Sequence, residues 1–176
     1  MQGPKGDMMF SPGDQSLEIL RNWWHGLDVD RGGRAELRRA SSQNEVVYSP
    51  TYHKLVGAFR ELDRPFSREK LAAVAGLAAR LKVDTAAGPS LPTQMAAPRP
   101  GGGSAAVSGL RFRRLLASGE LEELYPMLIR SLSLLGGAAN LADLARSVYW
   151  WNEATRKRWA YDYYAAAHRR NSKEER

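Results

Sequence analysis

Apolar residues recur three or four positions apart along most of the chain and nowhere alternate over a useful length, a pattern that predicts helices and no strand. In "SLEILRNWWHGL", Leu17, Leu20, Trp24 and Leu27 share one helical face, with Asp14 or Ser16 available as N-cap and Gly26 at the end. Asp30 can cap a second helix through "RGGRAELRRA". Ser49, with Pro50 at the first helical position, opens a third in "SPTYHKLVGAFREL". The fourth, "SREKLAAVAGLAARLK", is capped by Ser67 and apolar at Leu71, Val74, Ala75, Ala78 and Leu81.

The pattern then breaks. Residues 85–107, "TAAGPSLPTQMAAPRPGGGSAAV", hold four prolines, four glycines and a single charge, and read as a disordered linker too long for an ordinary loop. Beyond it, "SGLRFRRLLA", "GELEELYPMLIRSLSLL", "NLADLARSVYWWN" and "ATRKRWAYDYYAAAHRR" each read as helix, with Ser108 and Asn140 as caps and Gly119 and Gly136 as stops. Pro126 falls inside the second of these, so that helix is either kinked there or begins near Tyr125. The expected architecture is all-α: two helical lobes, about eight helices in all, joined by a Pro/Gly-rich linker. Its parts are a flexible leader over 1–13, an N-terminal bundle over 14–84, the linker, a C-terminal lobe over 108–170 and a charged tail over 171–176.

Composition adds a direction. The chain has 176 residues, a formal net charge of +7 and a sequence pI near 9.9, with arginine the main contributor. The planar, permanently charged guanidinium suits phosphate, so a polyanion is the partner to test for, against the plainer reading that a cationic surface serves solubility. No cysteine is present, which excludes disulfides, thiolate zinc sites and cysteine nucleophiles and fits a reducing cytoplasm. The N-terminus lacks an export signal, and no window approaches the ~20 apolar residues of a membrane span, so a soluble cytoplasmic protein with no membrane partner is expected.

Catalytic patterns are wanting. His25, His53 and His168 lie on separate expected helices without a metal-ligand spacing. The acidic pairs Asp28 with Asp30 and Glu122 with Glu123 do not place two carboxylates together on a helix face. The phosphate loops and nucleophile elbows need strands that this chain lacks. Neither a catalytic residue, a metal nor a cofactor is expected.

The basic segments carry more. At about 100° per residue, Arg31, Arg34 and Arg38 form a stripe roughly 60° wide, with Arg39 at its edge, while Gly33, Leu37 and Ala40 face away. The Gly32-Gly33 pair has two readings: it lets a partner's backbone come close, or it is the turn before a helix that starts at Arg34. In "VSGLRFRRLLASGE", Phe112, Leu115 and Leu116 fill one arc, and Arg111, Arg113 and Arg114 spread over the rest. A third cluster, "TRKRWAYDYY", mixes Arg156, Lys157 and Arg158 with Trp159, Tyr161, Tyr163 and Tyr164. Rings beside basic groups can stack unpaired bases for about 1 to 3 kcal/mol each, but the spacing of Trp150, Trp151, Trp159 and Tyr163 fits an inward face and assigns most of these rings to the core.

Taken together and in order, "DRGGRAELRRA", "SGLRFRRLLAS" and "NLADLARSVYWWNEATRKRWAYDYY" resemble the CasB family, the small subunit of the type I-E CRISPR surveillance complex Cascade. The resemblance covers most of Leu17 to Tyr164. It implies an all-α, non-catalytic protein of two helical lobes, present as two copies in a ribonucleoprotein. Its partners would be the displaced non-target strand as single-stranded DNA, the CRISPR RNA and the other Cascade subunits. By motif, Arg31, Arg34, Arg38 and Arg39 match the first basic segment, and Arg111, Arg113 and Arg114 the second. A different class remains open on the residues alone: a protein scaffold whose arginines pair with acidic subunits.

Overall fold

A computed structural model of the chain describes residues 8–175 and carries ten helices and two very short strands among them. The N-terminal half forms α1 (Gln15–Gly26), α2 (Arg31–Arg39), α3 (Gln43–Val46), α4 (Pro50–Arg60) and α5 (Arg68–Ala78). β1 (Val83–Asp84) and α6 (Leu91–Ala96) follow, then α7 (Gly109–Ala117), α8 (Leu121–Leu134), β2 (Ala138–Ala139), α9 (Leu141–Tyr149) and α10 (Glu153–Glu174). The protein is all-α in class, with strands only two residues long.

The expected caps do the work at most helix starts. Asp14, Asp30, Ser67, Ser108 and Asn140 each accept a backbone N–H of their own first turn, which satisfies donors a helix otherwise leaves open. Ser49 precedes α4 without such a bond, and Pro50 at the first position supplies the start instead. Leu121 begins α8 with Pro126 inside it, so the late start near Tyr125 does not occur. Proline there, the sixth residue of α8, removes one second-turn hydrogen bond, and Leu124, Tyr125 and Leu128 around it are buried.

α5 lies at the centre. Every residue from Leu71 to Ala79 is buried, because α2, α3 and α4 pack on it from the N-terminal side and α8 and α9 from the other. Small side chains permit this, and Gly76 is required: a Cβ there would run into Tyr125 Oη and Val46. The halves before and after residue 85 therefore share one continuous core. They are also tied by β1 and β2, parallel and in register Val83 with Ala138 and Asp84 with Ala139.

Two expectations of disorder are corrected. Part of the 1–13 leader, residues 1–7, lies outside the described residues; the remainder is built into the core. Phe10 is 1% exposed and rests against Phe59 and Tyr149 at 5.8 and 5.6 Å between ring centres, while Trp150 Nε1 donates to the Met9 carbonyl at 3.0 Å. The 85–107 segment is not a disordered linker: α6 packs on α10, Leu91, Met95, Ala96 and Val107 are buried, and Arg170 and the Tyr163 hydroxyl donate to Ala96 O and Val107 O at 2.7 Å. Pro92 is one of the four prolines behind that reading. It occupies the first turn of α6, where the missing N–H has no partner to lose. Residues 171–174, expected as tail, continue α10.

Candidate nucleic-acid interface

The first basic helix is fixed by what lies beneath it. Asp30 accepts from Gly33 N at 3.1 Å and from Thr51 Oγ1 at 2.8 Å, so the α2 cap also anchors α4. These two bonds, the hydroxyl's first, hold the Asp30 carboxyl below its ordinary pKa, with Lys54 at 3.6 Å adding to them. Gly33 is buried in this junction, and a Cβ there would run into Thr51 Oγ1 and the Asp30 carboxylate; at Gly32 nothing lies within 4 Å. The reading of a helix start at Arg34 gives way, and Gly33 takes a further role. The helix starts at Arg31, and Gly33 admits a neighbouring helix of the same chain.

The Arg31, Arg34 and Arg38 stripe is divided by the fold. Arg31 and Arg39 are exposed and have no hydrogen-bond or ion-pair partner among the described residues. Arg34 turns inward. Its side chain is 13% exposed, donates to Ala79 O at 3.3 Å and to Leu81 O, pairs with Asp28 at 2.8 Å and lies over the Trp24 ring. Arg38 is exposed at its end while its Nε donates to Ala79 O at 2.9 Å.

The carbonyls these two arginines meet belong to the end of α5, and the favour is returned. Arg80, just past α5, donates to Leu37 O, Arg38 O and Ala40 O at 3.4, 2.8 and 2.7 Å, to Gly76 O at 2.7 Å and to Tyr125 Oη at 3.2 Å. Two helix C-termini, each carrying unsatisfied carbonyls and partial negative charge, are thus closed by guanidiniums from each other's chain segment. Burial first, and then the neighbouring Arg34 and Arg80, push the Arg38 guanidinium below its ordinary value. Arg38, Arg80 and Lys82 line a cleft of about 300 Å³ with Ser133, Gly136 and Gly137. Sequence reasoning passed over Arg80 and Lys82; the signal was two cations directly after the apolar run of α5, where C-terminal carbonyls need them.

On α7 the arrangement is simpler. Phe112 stacks on Tyr163 of α10 at 3.9 Å and 7° between planes, and Leu115 is buried. Arg111, Arg113 and Arg114 stand exposed, with no hydrogen-bond or ion-pair partner for any of their side chains among the described residues. α7 packs on α8 and α10, whereas α2 packs on α4 and α5, so the two basic rows are carried by different parts of the core.

The third cluster is largely internal. Arg158 pairs with Asp143 at 3.0 Å and Asp162 at 3.8 Å and donates to Ser147 Oγ at 2.8 Å, beside Trp159 Nε1 on the same oxygen at 3.0 Å. Arg156 reaches Leu116 O at 3.4 Å, and Lys157 pairs with Glu153 at 2.9 Å on the open surface. Trp159 and Tyr163 are core residues, as the spacing predicted, whereas Tyr161 and Tyr164 are not. No group of three or more His, Asp or Glu side chains is placed to hold a metal ion among the described residues, and no helix there is long and apolar enough to cross a membrane.

Comparison with known proteins places this geometry. No curated protein matches the sequence. The fold matches a chain in the crystal structure of E. coli Cascade bound to a PAM-containing double-stranded DNA target, with a TM-score of 0.70 and 20% identity over 87% of this chain and 96% of that chain. The family model of the CRISPR-associated protein Cse2 matches residues 33–164, three quarters of the chain, from within the first basic helix to the last exposed tyrosine of α10. The chain therefore belongs to the CRISPR-associated Cse2 family, the small-subunit family of type I-E Cascade that its three motifs resemble.

Proposed function

We propose that the chain is a non-catalytic subunit of a type I-E CRISPR surveillance ribonucleoprotein. In this reading it binds single-stranded DNA through sequence-independent backbone contacts and stabilises the R-loop. It packs beside the CRISPR RNA, a second copy of itself and the other Cascade subunits. The observation that carries this reading is the Arg111, Arg113 and Arg114 row, three exposed guanidiniums without an internal acid, on a helix locked in place by the Phe112 stack. Arg31, Arg39 and the free end of Arg38 offer a second row of the same kind.

The energetics suit such a role. R-loop formation exchanges one duplex for another of nearly equal stability, so modest contacts to a displaced strand tip the balance. If four arginines each neutralise one phosphate of a single strand, log K falls against log salt with a slope of about −2.8. Fluorescence anisotropy of a labelled oligonucleotide of random sequence, at low and moderate salt, tests this. A slope of that order supports the reading. Absence of salt-dependent binding refutes it and leaves the arginines to acidic subunits.

A further inference from the structure

The third basic-aromatic cluster was left unexplained by the core. α10 runs 22 residues and buries Trp159 and Tyr163 against α7, so its packing face is complete without more rings. Yet Tyr161 is 80% exposed and Tyr164 45% exposed, and neither hydroxyl has a hydrogen-bond partner among the described residues. Measured from Trp159 at about 100° per residue, Lys157, Tyr161, Tyr164 and His168 fall between about 140° and 200°. They make one outward row at spacings i, i+4, i+7 and i+11, and all four are exposed.

Two features distinguish this row from rings scattered on a surface. Tyr164 is held edge-on by Phe112 at 6.0 Å and by Tyr163 at 5.4 Å, so its orientation is set before anything binds. The surroundings are cationic. Burial raises the pKa of the Tyr163 hydroxyl, while the charges of Arg170 and Arg113 lower it. Lys157 belongs to the row itself, paired there with Glu153 at 2.9 Å, and Arg111, Arg113 and Arg114, unpaired among the described residues, lie on α7, which packs on α10.

A ring platform flanked by phosphate-seeking charges is the construction that binds unpaired strands irrespective of sequence, since every base has a π-face. Positions three apart on a helix put their Cβ atoms about 5–6 Å apart, close enough for successive nucleotides to use both rings. From the row, its held ring and its neighbouring arginines, we infer that Tyr161 and Tyr164 are base-stacking residues for a single-stranded nucleic acid whose phosphates lie on the α7 arginines. The inference rests on the proposed function and adds what that reading lacks, a contact to the bases.

Two oligonucleotides of equal length and charge separate it from simple backbone binding: one of thymidines, one with abasic residues throughout, each titrated by anisotropy against the full chain. The unaltered protein is expected to prefer the base-bearing strand by roughly tenfold. Tyr161→Ala, which removes no core contact, and the Tyr161→Ala/Tyr164→Ala pair should reduce that preference stepwise while leaving abasic binding unchanged. Tyr161→Phe should retain it, because the ring and not the hydroxyl acts. Equal binding of both strands, or a preference that survives both alanine variants, overturns the inference while backbone binding stands. Binding of neither strand overturns both.

Discussion

Two helices of this molecule look alike in sequence and behave differently in the fold. α2 and α7 are each nine residues long, each has a small apolar back, and each carries arginines on the rest. On α7 the guanidiniums stand in solvent. On α2, Arg34 and part of Arg38 reach the carbonyl end of α5, and Arg80 reaches back to the end of α2. A cationic face is thus not the same as an available charge: what matters is whether a helix C-terminus lies within reach of the side chain.

The largest effect should come from breaking the reciprocal cap. Arg80→Met removes five hydrogen bonds, four of them half-buried, and leaves carbonyls of α2 and α5 unsatisfied, at a cost of about 3 kcal/mol or more. Arg34→Ala should cost about 2 kcal/mol by the same mechanism, through Ala79 O, Leu81 O and Asp28. Urea unfolding measures both. For Arg34→Ala, the salt slope of DNA binding by the folded protein should stay as it was; a slope that falls by a full contact would return Arg34 to the interface.

The complementary experiment is the triple replacement Arg111→Ala, Arg113→Ala and Arg114→Ala. With no internal partner to lose, stability should move by no more than about 0.5 kcal/mol. The DNA-binding slope should flatten by about 2, at roughly 0.7 per contact. A protein that unfolds instead would mean that α7 resembles α2 after all.

The adjacent glycines of α2 give opposite signs within one turn. Gly33→Ala drives a methyl into Thr51 and Asp30 and should destabilise by about 1 to 3 kcal/mol. Gly32→Ala meets nothing and should stabilise by up to about 1 kcal/mol, the helix propensity gained. Thermal melts of the two variants decide the matter, and a destabilised Gly32→Ala would show that the first turn of α2 is not the regular helix described here.

These contrasts also mark what could be read from the chain. The apolar spacing and the caps Asp30, Ser67, Ser108 and Asn140 were legible because both are local, settled within one or two turns. α6 was not, since its stability comes from Leu91 and Met95 packing on α10 some seventy residues away, and Pro92 pointed the other way. Nor was Arg34 separable from Arg31: its position on the helix is the same stripe, and only the long-range approach of α5 distinguishes them. Family motifs crossed that gap for membership, not for individual charges.

The smallest expected effect uses the chemical difference between the caps of the two helices. α2 is capped by a carboxylate, Asp30, and α7 by a hydroxyl, Ser108. Thr51 and Gly33 hold Asp30 below its ordinary value of 3.8 in the folded protein, with Lys54 assisting. A group whose folded value is depressed contributes stability above the unfolded value and loses it as pH falls through the folded one. Between neutral pH and about 4 the α2 cap should therefore be indifferent, and it should weaken as pH falls further, in the range below 3.8. The α7 cap has nothing to lose over that range. In a two-dimensional NMR titration, the Gly33 amide, which donates to Asp30 Oδ1 at 3.1 Å, should shift with the carboxyl, while the Arg111 amide, which donates to Ser108 Oγ at 3.4 Å, should not move with it. If both amides move together, the two helices melt as parts of one cooperative unit and the contrast between their caps does not control either end.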